Sequence, residues 1–312
     1  MPWQKDDRHT GLCSTKGCEM SEEAGSAAPA LCRLQLAIEL RGLREAKGLT
    51  AAAVAKRLVV SPSKINRLEA AENGIVEPAD VMALCDIYGA DAEHRDTLVG
   101  YATVTKTRRD WWQKRELAPV ISPGFKAYLG QEAVAAAVNN FENEFIPGLL
   151  QTEAYVRALP LPTQELSPAE VDKLVDVRMT RQAALHRDDS PLKLTAIINE
   201  SVLRRRVGNA AVMREQLGHI AELATSLPNV RIQVVPFSLG AHPGMNGAFT
   251  ILRFGDRSPF PPIVYLENRA DAWVLRKRSD TDLYDESFTD LQAAAPGHTE
   301  SVSMIHKAIK EF

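Results

Sequence analysis

Apolar residues in the stretch Leu49–Glu69 recur at the spacing of two short helices separated by a tight turn. In the first helix Val54, Ala55 and Leu58 fall on one stripe, because residues three or four positions apart share a helix face. Thr50 precedes that stripe, where a hydroxyl caps the free amides of a helix start. The pattern predicts a short amphipathic helix that another helix crosses closely at the small Ala55.

A second helix start follows in Ser61-Pro62, since serine caps a helix and proline at the first helical position loses no needed donor. Ile65 and Leu68 then share the inward face of the new helix. The opposite, polar face consists of Ser63, Asn66 and Arg67, with Lys64 on its flank. A polar and partly cationic face at the start of a second helix can enter the major groove of DNA.

Three further helices are predicted around this pair. The first contains Leu36, Leu40 and Leu43 at helical spacing and ends at Gly48, a residue typical of the position after a helix. The others follow a turn at Asn73-Gly74 and run from Pro78 to Gly89 and from Asp91 to about Thr103. Five short helices within residues 31–105 predict one all-α domain.

The second half of the chain mixes helical and strand patterns. Helices are predicted at Glu132–Phe145, Leu166–His186, Ala211–Leu227, Leu283–Leu291 and Val302–Ile309. Strands are predicted at Leu192–Ile198, Val230–Val235, Phe249–Phe254, Ile263–Leu266 and Ala272–Leu275, the last two pairing across Asn268–Asp271. About five strands flanked by helices predict an α+β, or mixed α/β, domain over residues 117–312.

Composition fits this two-domain architecture. The 312 residues are 45% hydrophobic and 25% charged, which is ordinary for a globular protein. No apolar run is long enough to cross a bilayer and the N-terminus has no signal-peptide core, so a cytoplasmic location is expected. Residues 1–30 are polar and without periodicity, and we expect a disordered tail in which Met20, like Met1, is a candidate start.

The four cysteines do not indicate a metal site. Cys13, Cys18, Cys32 and Cys85 lack C-x-x-C spacing and a nearby histidine pair. Free thiols are the expected state, and the sequence predicts neither a metal nor a cofactor.

Charge is unevenly distributed although the whole chain carries only −3. Residues 31–70 hold eight basic and three acidic side chains, a balance of +5, whereas residues 71–105 hold one and seven, a balance of −6. The positive charge therefore coincides with the helix pair, as contact with phosphates requires.

These features together resemble a known DNA-binding domain. The segments Gly48–Ala55 and Val60–Glu69 are similar to the Cro/repressor-type, or xenobiotic-response-element (XRE) family, helix-turn-helix domain. The resemblance implies that double-stranded DNA is bound through Thr50, Lys56, Ser63, Lys64, Asn66 and Arg67. It also implies a structural ion pair between Arg44 and Glu69.

Two positions depart from that family pattern. Ala51 stands where the family often has a glutamine that contacts a phosphate. Val59 replaces the turn glycine, and a β-branched residue disfavours a positive φ. We therefore expect one backbone contact to be absent and the turn to be wider than usual.

The segment 106–116 is predicted to be a basic, aromatic linker. It could add phosphate contacts, or Trp111 and Trp112 could pin the start of the following domain to its neighbour. The second interpretation is favoured, because a solvated linker would leave the large apolar area of two tryptophans in water.

The remainder of the chain resembles the uncharacterised, sensor-like domain fused behind Cro-type modules in actinobacterial regulators of the WhiJ kind. The matching segments are Trp111-Trp112, Phe145–Thr152, Arg178–Gln182, Asn199–Leu203, Gln233–Phe237 and Gly247–Phe249. Proteins of this kind are often paired with a small partner protein, in an arrangement likened to a toxin–antitoxin pair. The resemblance implies no particular ligand.

Catalysis is disfavoured. The candidate acid and base groups of the second domain are Glu200, His219, His242 and Glu267, and they are accompanied by no nucleophile elbow, H-E-x-x-H motif or P-loop. We expect no catalytic residues. The loop Ala241–Gly247 could be a ligand-facing lid or a plain connection, the latter being favoured, and the run Arg204–Arg206 is expected to be solvated.

The leading hypothesis is a sequence-specific transcriptional regulator, a homodimer controlled through its second domain by an unknown ligand or a small partner protein. The dimer contact is expected on an apolar helix of that domain, at Ala133–Val138 or Leu217–Leu227. The alternative is an antitoxin-like protein that mainly binds a small partner, and a third hypothesis is an enzyme tethered to DNA.

Overall fold

The computed structural model describes residues 29–72, 75–160, 166–188, 190–255, 260–268 and 272–312. Contacts divide the chain into two units, which we call unit 1 (to Asp110) and unit 2 (Trp111–Phe312). Of the tail predicted at residues 1–30, residues 1–28 lie outside the described residues, whereas Pro29 and Ala30 begin a helix, so the prediction is wrong for these two. The turns predicted at Asn73-Gly74 and through 269–271 also lie outside the described residues.

The described part of unit 1 contains five helices in the order the sequence predicts. They are α1 (Pro29–Ala46), α2 (Ala51–Leu58), α3 (Pro62–Glu69), α4 (Pro78–Tyr88) and α5 (Ala92–Thr107). Each contributes to one core, which includes Leu40, Val54, Ile65, Leu84 and Leu98. Gly48 and Gly89 follow α1 and α4 with φ of 64° and 70°, the left-handed conformation that glycine adopts without a steric cost.

The segment 106–116 is divided between the two units. Lys106 and Thr107 are the last residues of α5, and the buried Asp110 accepts hydrogen bonds from the Ala30 amide (3.1 Å) and from Arg33 (2.6 Å). Trp111 and the buried Trp112 belong to unit 2, where their rings meet edge to face at 5.4 Å. The segment predicted as a linker therefore belongs partly to unit 1, up to Asp110, and partly to unit 2, from Trp111 onwards.

Unit 2 is a six-stranded sheet with helices. Its helices are α6 (Pro123–Glu132), α7 (Glu153–Ala158), α8 (Pro168–Gln182), α9 (Glu200–Arg204), α10 (Ala210–Ser226), α11 (Arg278–Ala294) and α12 (His298–Ile309). Its strands are β1 (Ala137–Glu142), β2 (Lys193–Asn199), β3 (Val230–Val235), β4 (Phe249–Arg253), β5 (Ile263–Glu267) and β6 (Ala272–Leu275). The mixed α/β prediction for this half is confirmed.

The sheet has the strand order β3-β2-β1-β4-β5-β6. The pairs β1–β2 and β2–β3 are parallel, with α8 and α10 in their crossover connections, and the other three pairs are antiparallel. The carboxyl ends of the three parallel strands therefore lie at one edge, beside the start of β4. The predicted pairing of β5 with β6 is confirmed.

The helix predicted at Glu132–Phe145 is wrong. A helix ends at Glu132, and residues 137–142 form the strand β1 between β2 and β4. Because β1 is covered on both faces, its apolar residues do not alternate with polar ones, and a run such as this cannot be told from a buried helix by its period.

One face of the sheet packs on α11. Phe141, Ile197 and Phe249 from the strands share a buried cluster with Phe288 and Leu291 of that helix. Within the described residues, no helix is long and apolar enough to span a membrane.

Candidate nucleic-acid interface

Local capping fixes both helices of the predicted DNA-binding pair. The Thr50 hydroxyl accepts a hydrogen bond from the Ala53 amide at 3.2 Å and begins α2. The Ser61 hydroxyl accepts from the Lys64 amide at 3.3 Å, and Pro62 is the first residue of α3. Both caps are the ones the sequence predicts, and they hold the start of α3 in place without a long-range contact.

The turn between the helices is tight, so the expectation of a wider one is wrong. Val59 adopts the left-handed conformation (φ 56°, ψ 43°), and its amide bonds back to the Lys56 carbonyl while the Val60 amide reaches the Ala55 carbonyl at 3.0 Å. This conformation costs a β-branched residue about 1–2 kcal/mol. The Val59 side chain is 91% exposed, so no packing contact offsets that strain.

The polar face of α3 stands on a buried base. Ile65 and Leu68 are only 2% and 6% exposed and lie in the core of unit 1. Ser63, Asn66 and Arg67 are all exposed on the opposite side. Hydroxyl, amide and guanidinium groups on one exposed helix face are the groups that read base edges in a major groove.

Arg44 and Glu69 form a two-pronged ion pair beneath this face. Arg44 Nε and Nη2 donate to the two Glu69 carboxylate oxygens at 2.7 and 2.8 Å, and Arg44 Nη1 donates to the Leu49 carbonyl at 2.8 Å. The hydrogen bond to Glu69 raises the pKa of Arg44. The pair thus joins α1 to the last residue of α3 and to the connection before α2, which sets the orientation of α3.

Lys64 has a partner that the sequence does not predict. Its ammonium group lies 2.7 Å from an Asp80 carboxylate oxygen in the first turn of α4, and both side chains are partly exposed. The two residues are sixteen positions apart, so only the fold brings them together. A phosphate that binds Lys64 must replace Asp80 as its partner.

Three basic side chains of α2 and α3 are exposed and, within the described part of unit 1, make no ion pair or hydrogen bond. They are Lys56, Arg57 and Arg67. Arg57 was not among the sequence-predicted site residues, although its position beside Lys56 in the last turn of α2 is a local basic signal. Exposed cations without partners are available for phosphates.

Two of the acid and base candidates of unit 2, Glu200 and His242, form hydrogen bonds within that unit. Glu200 accepts hydrogen bonds from the Phe237 amide at 2.8 Å and from Arg204 at 2.9 Å. His242 Nε2 lies 3.1 Å from the Asn199 amide nitrogen, and burial lowers its pKa. Within the loop Ala241–Gly247, Gly244 contacts the Phe141 ring so closely that a side chain would collide with it.

The other candidate residues are His219, Glu267 and the cysteines. Burial lowers the pKa of His219 on α10, and Glu267 ends β5. Cys32 and Cys85 are buried free thiols, whereas Cys13 and Cys18 lie outside the described residues. In the described part of the chain, no group of three or more histidine, cysteine or acidic side chains could hold a metal ion.

Five helices with an exposed polar face on the third define unit 1 as a helix-turn-helix domain, which indicates a DNA-binding regulator. A family model described as a helix-turn-helix domain matches residues 35–98. A second, described as a domain of unknown function (DUF5753), matches residues 125–307, more than half of the chain. The chain belongs to the DUF5753 family. Searches of curated proteins and of solved structures found no match.

Proposed function

We propose that this chain is a sequence-specific, DNA-binding transcriptional regulator that acts in the cytoplasm as a homodimer. The observation that carries the proposal is the exposed face of α3, on which Ser63, Asn66 and Arg67 stand above a buried Ile65 and Leu68. In a helix-turn-helix domain this helix lies in the major groove, so that its first residues contact base edges.

The chemistry of each side chain suggests its role. A guanidinium such as that of Arg67 bonds the O6 and N7 atoms of guanine in a two-pronged manner, and an amide such as that of Asn66 can do the same with adenine. Ser63 can bond either kind of base edge. Lys64, Lys56 and Thr50 border this face, and we assign them to phosphates, which fix the position of the domain on the duplex.

Selectivity supports the dimer. One helix-turn-helix covers few base pairs, so two copies must bind half-sites one helical turn apart, ~34 Å. The surfaces expected for the contact do not support it. Residues 133–138 run from the end of α6 into the central strand β1, and the apolar residues of α10 between Leu217 and Ala224 are buried within unit 2. The dimer proposal therefore depends on the half-site argument alone.

Control of DNA binding is assigned to unit 2, through a ligand or a small partner protein. Unit 2 has its own core and contains the whole of the DUF5753 match. Two of its four candidate acid and base groups, Glu200 and His242, are engaged in hydrogen bonds within the fold, which favours a binding role over catalysis.

The test is enrichment of bound sequences from a random pool of duplex DNA by the full chain at physiological salt. A two-fold symmetric motif with half-sites about 10 base pairs apart is expected. Recovery of the pool without any preferred sequence would contradict the proposal. A pull-down from the native cell, run alongside, addresses the antitoxin-like alternative, which predicts a small protein bound in stoichiometric amount even without DNA.

A further inference from the structure

The face of the sheet opposite α11 carries a row of polar side chains. In the register of β1, β4 and β5, Asn140 lies opposite Thr250 and Thr250 opposite Tyr265, and the Asn140 amide donates to the Thr250 hydroxyl at 3.1 Å. The ring of Tyr128 of α6 packs against that of Tyr265, with centroids 4.3 Å apart and planes tilted by 35°. Asn140, Tyr265 and Tyr128 are all buried, so their polar groups need partners inside the protein.

One ion pair in this layer is complete. Arg181 of α8 donates through Nε and Nη2 to the two oxygens of Glu132, both at 2.8 Å, and both side chains are 5% exposed. The Tyr128 hydroxyl adds a hydrogen bond to the same carboxylate at 2.5 Å. The single negative charge of Glu132 is thus paired with Arg181.

A second arginine lies beside this pair and forms no ion pair within the described part of the chain. Arg178 is one turn earlier on α8, and its guanidinium lies over the Phe125 ring at 5.4 Å, next to that of Arg181 at 5.2 Å. Among the described residues no carboxylate forms an ion pair with Arg178, although Glu142 and Glu267 are in its surroundings. Two adjacent guanidiniums therefore share one bound carboxylate.

The two guanidiniums converge on one point. A Cβ atom placed on Gly148 would lie 2.5 Å from Arg178 Nη1 and 3.0 Å from Arg181 Nη1, so both nitrogens approach the same backbone position. Arg178 Nε, Arg181 Nη1 and the Tyr265 hydroxyl are buried and have no hydrogen-bond partner within the described part of the chain. Arg181 and Tyr265 are more than nine-tenths buried.

Buried donors without partners are costly, and they are more costly when they are charged. Desolvation and the neighbouring Arg181 lower the pKa of Arg178 to about 10, which still leaves it charged at neutral pH. An oxyanion would satisfy these donors, because its oxygens accept several charge-assisted hydrogen bonds at once.

We propose that Arg178 and Arg181, together with the Tyr265 hydroxyl, form a binding site in unit 2 for a compact oxyanion, a phosphate or a carboxylate group. The ligand that bears this group approaches from the Arg178 side, since Arg178 is the more exposed of the two arginines. The site is independent of the DNA-binding face of unit 1, and it can be tested without DNA.

The test uses the full chain in phosphate, acetate or chloride at constant ionic strength and pH 7. Thermal unfolding gives the melting temperature in each salt, and titration calorimetry gives the affinity for each anion. The phosphate and acetate arms distinguish the two oxyanion classes. Phosphate or acetate should raise the melting temperature of the wild type more than chloride does, and show saturable binding. Arg178→Gln should weaken that binding about tenfold or more, as expected for losing charge-assisted hydrogen bonds.

The matched control is Arg231→Gln, which removes an exposed arginine of β3 and should leave the response unchanged. Gly148→Ala is the second variant, because its methyl group displaces the Arg178 guanidinium while both arginines are retained. No saturable binding to the wild type, or equal affinity in wild type, Arg178→Gln and Gly148→Ala, would overturn the site.

Discussion

The carboxylate of Glu69 holds the polar face of α3 in position. It is buried, it accepts two hydrogen bonds from Arg44, and Arg44 also donates to the Leu49 carbonyl. The neighbouring pair Arg41–Glu45 is an exposed contact along one helix. The two ion pairs have the same chemistry but differ in burial, and burial decides how much each contributes to the free energy of unfolding.

Glu69→Ala is expected to lower the free energy of unfolding of unit 1 by about 2–3 kcal/mol, because a partly buried guanidinium loses two charge-assisted hydrogen bonds. Glu45→Ala, which removes an exposed contact, is the control and should leave the unfolding curve close to that of the wild type. Thermal and urea unfolding of the full chain measure both. Coincident curves for Glu69→Ala and the wild type would show that the pair does not stabilise the fold.

Lys64 illustrates a contact that local sequence cannot give. Its side chain is predicted from the helix pattern to face the flank of α3, which it does, but its ion pair with Asp80 depends on how α4 packs. An exposed pair of this kind contributes about 0.2–1 kcal/mol. Replacing Asp80 by a DNA phosphate as the partner of Lys64 therefore costs little free energy.

Lys64→Ala should weaken binding to all DNA sequences alike and reduce the slope of log affinity against log salt by about 0.9, the value for one phosphate contact. Glu116→Ala, a change of an exposed acid in unit 2, is the control for non-specific effects of charge. Affinities measured between 50 and 200 mM salt test the prediction. A slope equal to that of the wild type would remove Lys64 from the interface.

At the scale of elements, the helices of unit 1 could be predicted from local signals. The prediction of unit 2 was limited because its structure depends on contacts between residues that are far apart in the sequence. Caps at Thr50 and Ser61 and a buried stripe through Ile65 and Leu68 are local features, so the helix pair could be predicted. The Glu132–Phe145 segment carries no such alternation, because β1 is covered on both faces. The Arg178–Arg181 cluster could not be predicted either, because its partners come from α6 and β5, which are far from α8 in the sequence.

Strand β1 ends at Glu142, whose environment makes the stability of unit 2 depend on pH. Burial raises the pKa of this carboxyl to about 7, although Asn140 of its own strand and Arg178 of α8 oppose the shift, while Glu267 of β5 adds to it. Tyr155 of α7 also lies in this environment. The folded chain therefore holds a proton that the unfolded chain releases at a lower pH.

The free energy of unfolding should fall as pH rises from about 4.5 to 7 and level off above that, since below the ordinary pKa both states are protonated. At about 1.4 kcal/mol per pKa unit, the change in the free energy of unfolding is at most ~3.5 kcal/mol. Glu142→Gln should flatten this dependence, whereas Glu144→Gln, a change of an exposed acid two residues after the end of β1, should keep it. Urea unfolding across this pH range decides, and identical pH profiles for Glu142→Gln and the wild type would contradict the assignment.

At the scale of the whole molecule, the division at Asp110 separates a domain that contacts DNA from one to which we assign assembly. The segment 71–105 of unit 1 carries a charge balance of −6, which opposes contact between two copies, although salt screens such repulsion over ~8–10 Å. Unit 2 is the larger unit and has the sheet and its own core.

Residues 111–312 expressed alone are expected to form a dimer in light scattering, and residues 29–110 a monomer that binds DNA weakly. The physical reason is that the half-site spacing requires two linked copies, while a single copy retains mainly the non-specific phosphate contacts. A dimeric short fragment would place the contact in unit 1, and a monomeric long fragment would contradict a contact within unit 2.

Arg67 gives the most direct test of the central claim that α3 reads DNA. The full chain and its Arg67→Ala variant should be compared on the enriched duplex and on a duplex with the preferred guanine replaced, with Arg95→Ala of α5 as the control. The account predicts that Arg67→Ala loses about 1–3 kcal/mol of discrimination at that position while its unfolding curve stays unchanged, and that Arg95→Ala discriminates as the wild type does. Undiminished discrimination by the Arg67→Ala variant would contradict it.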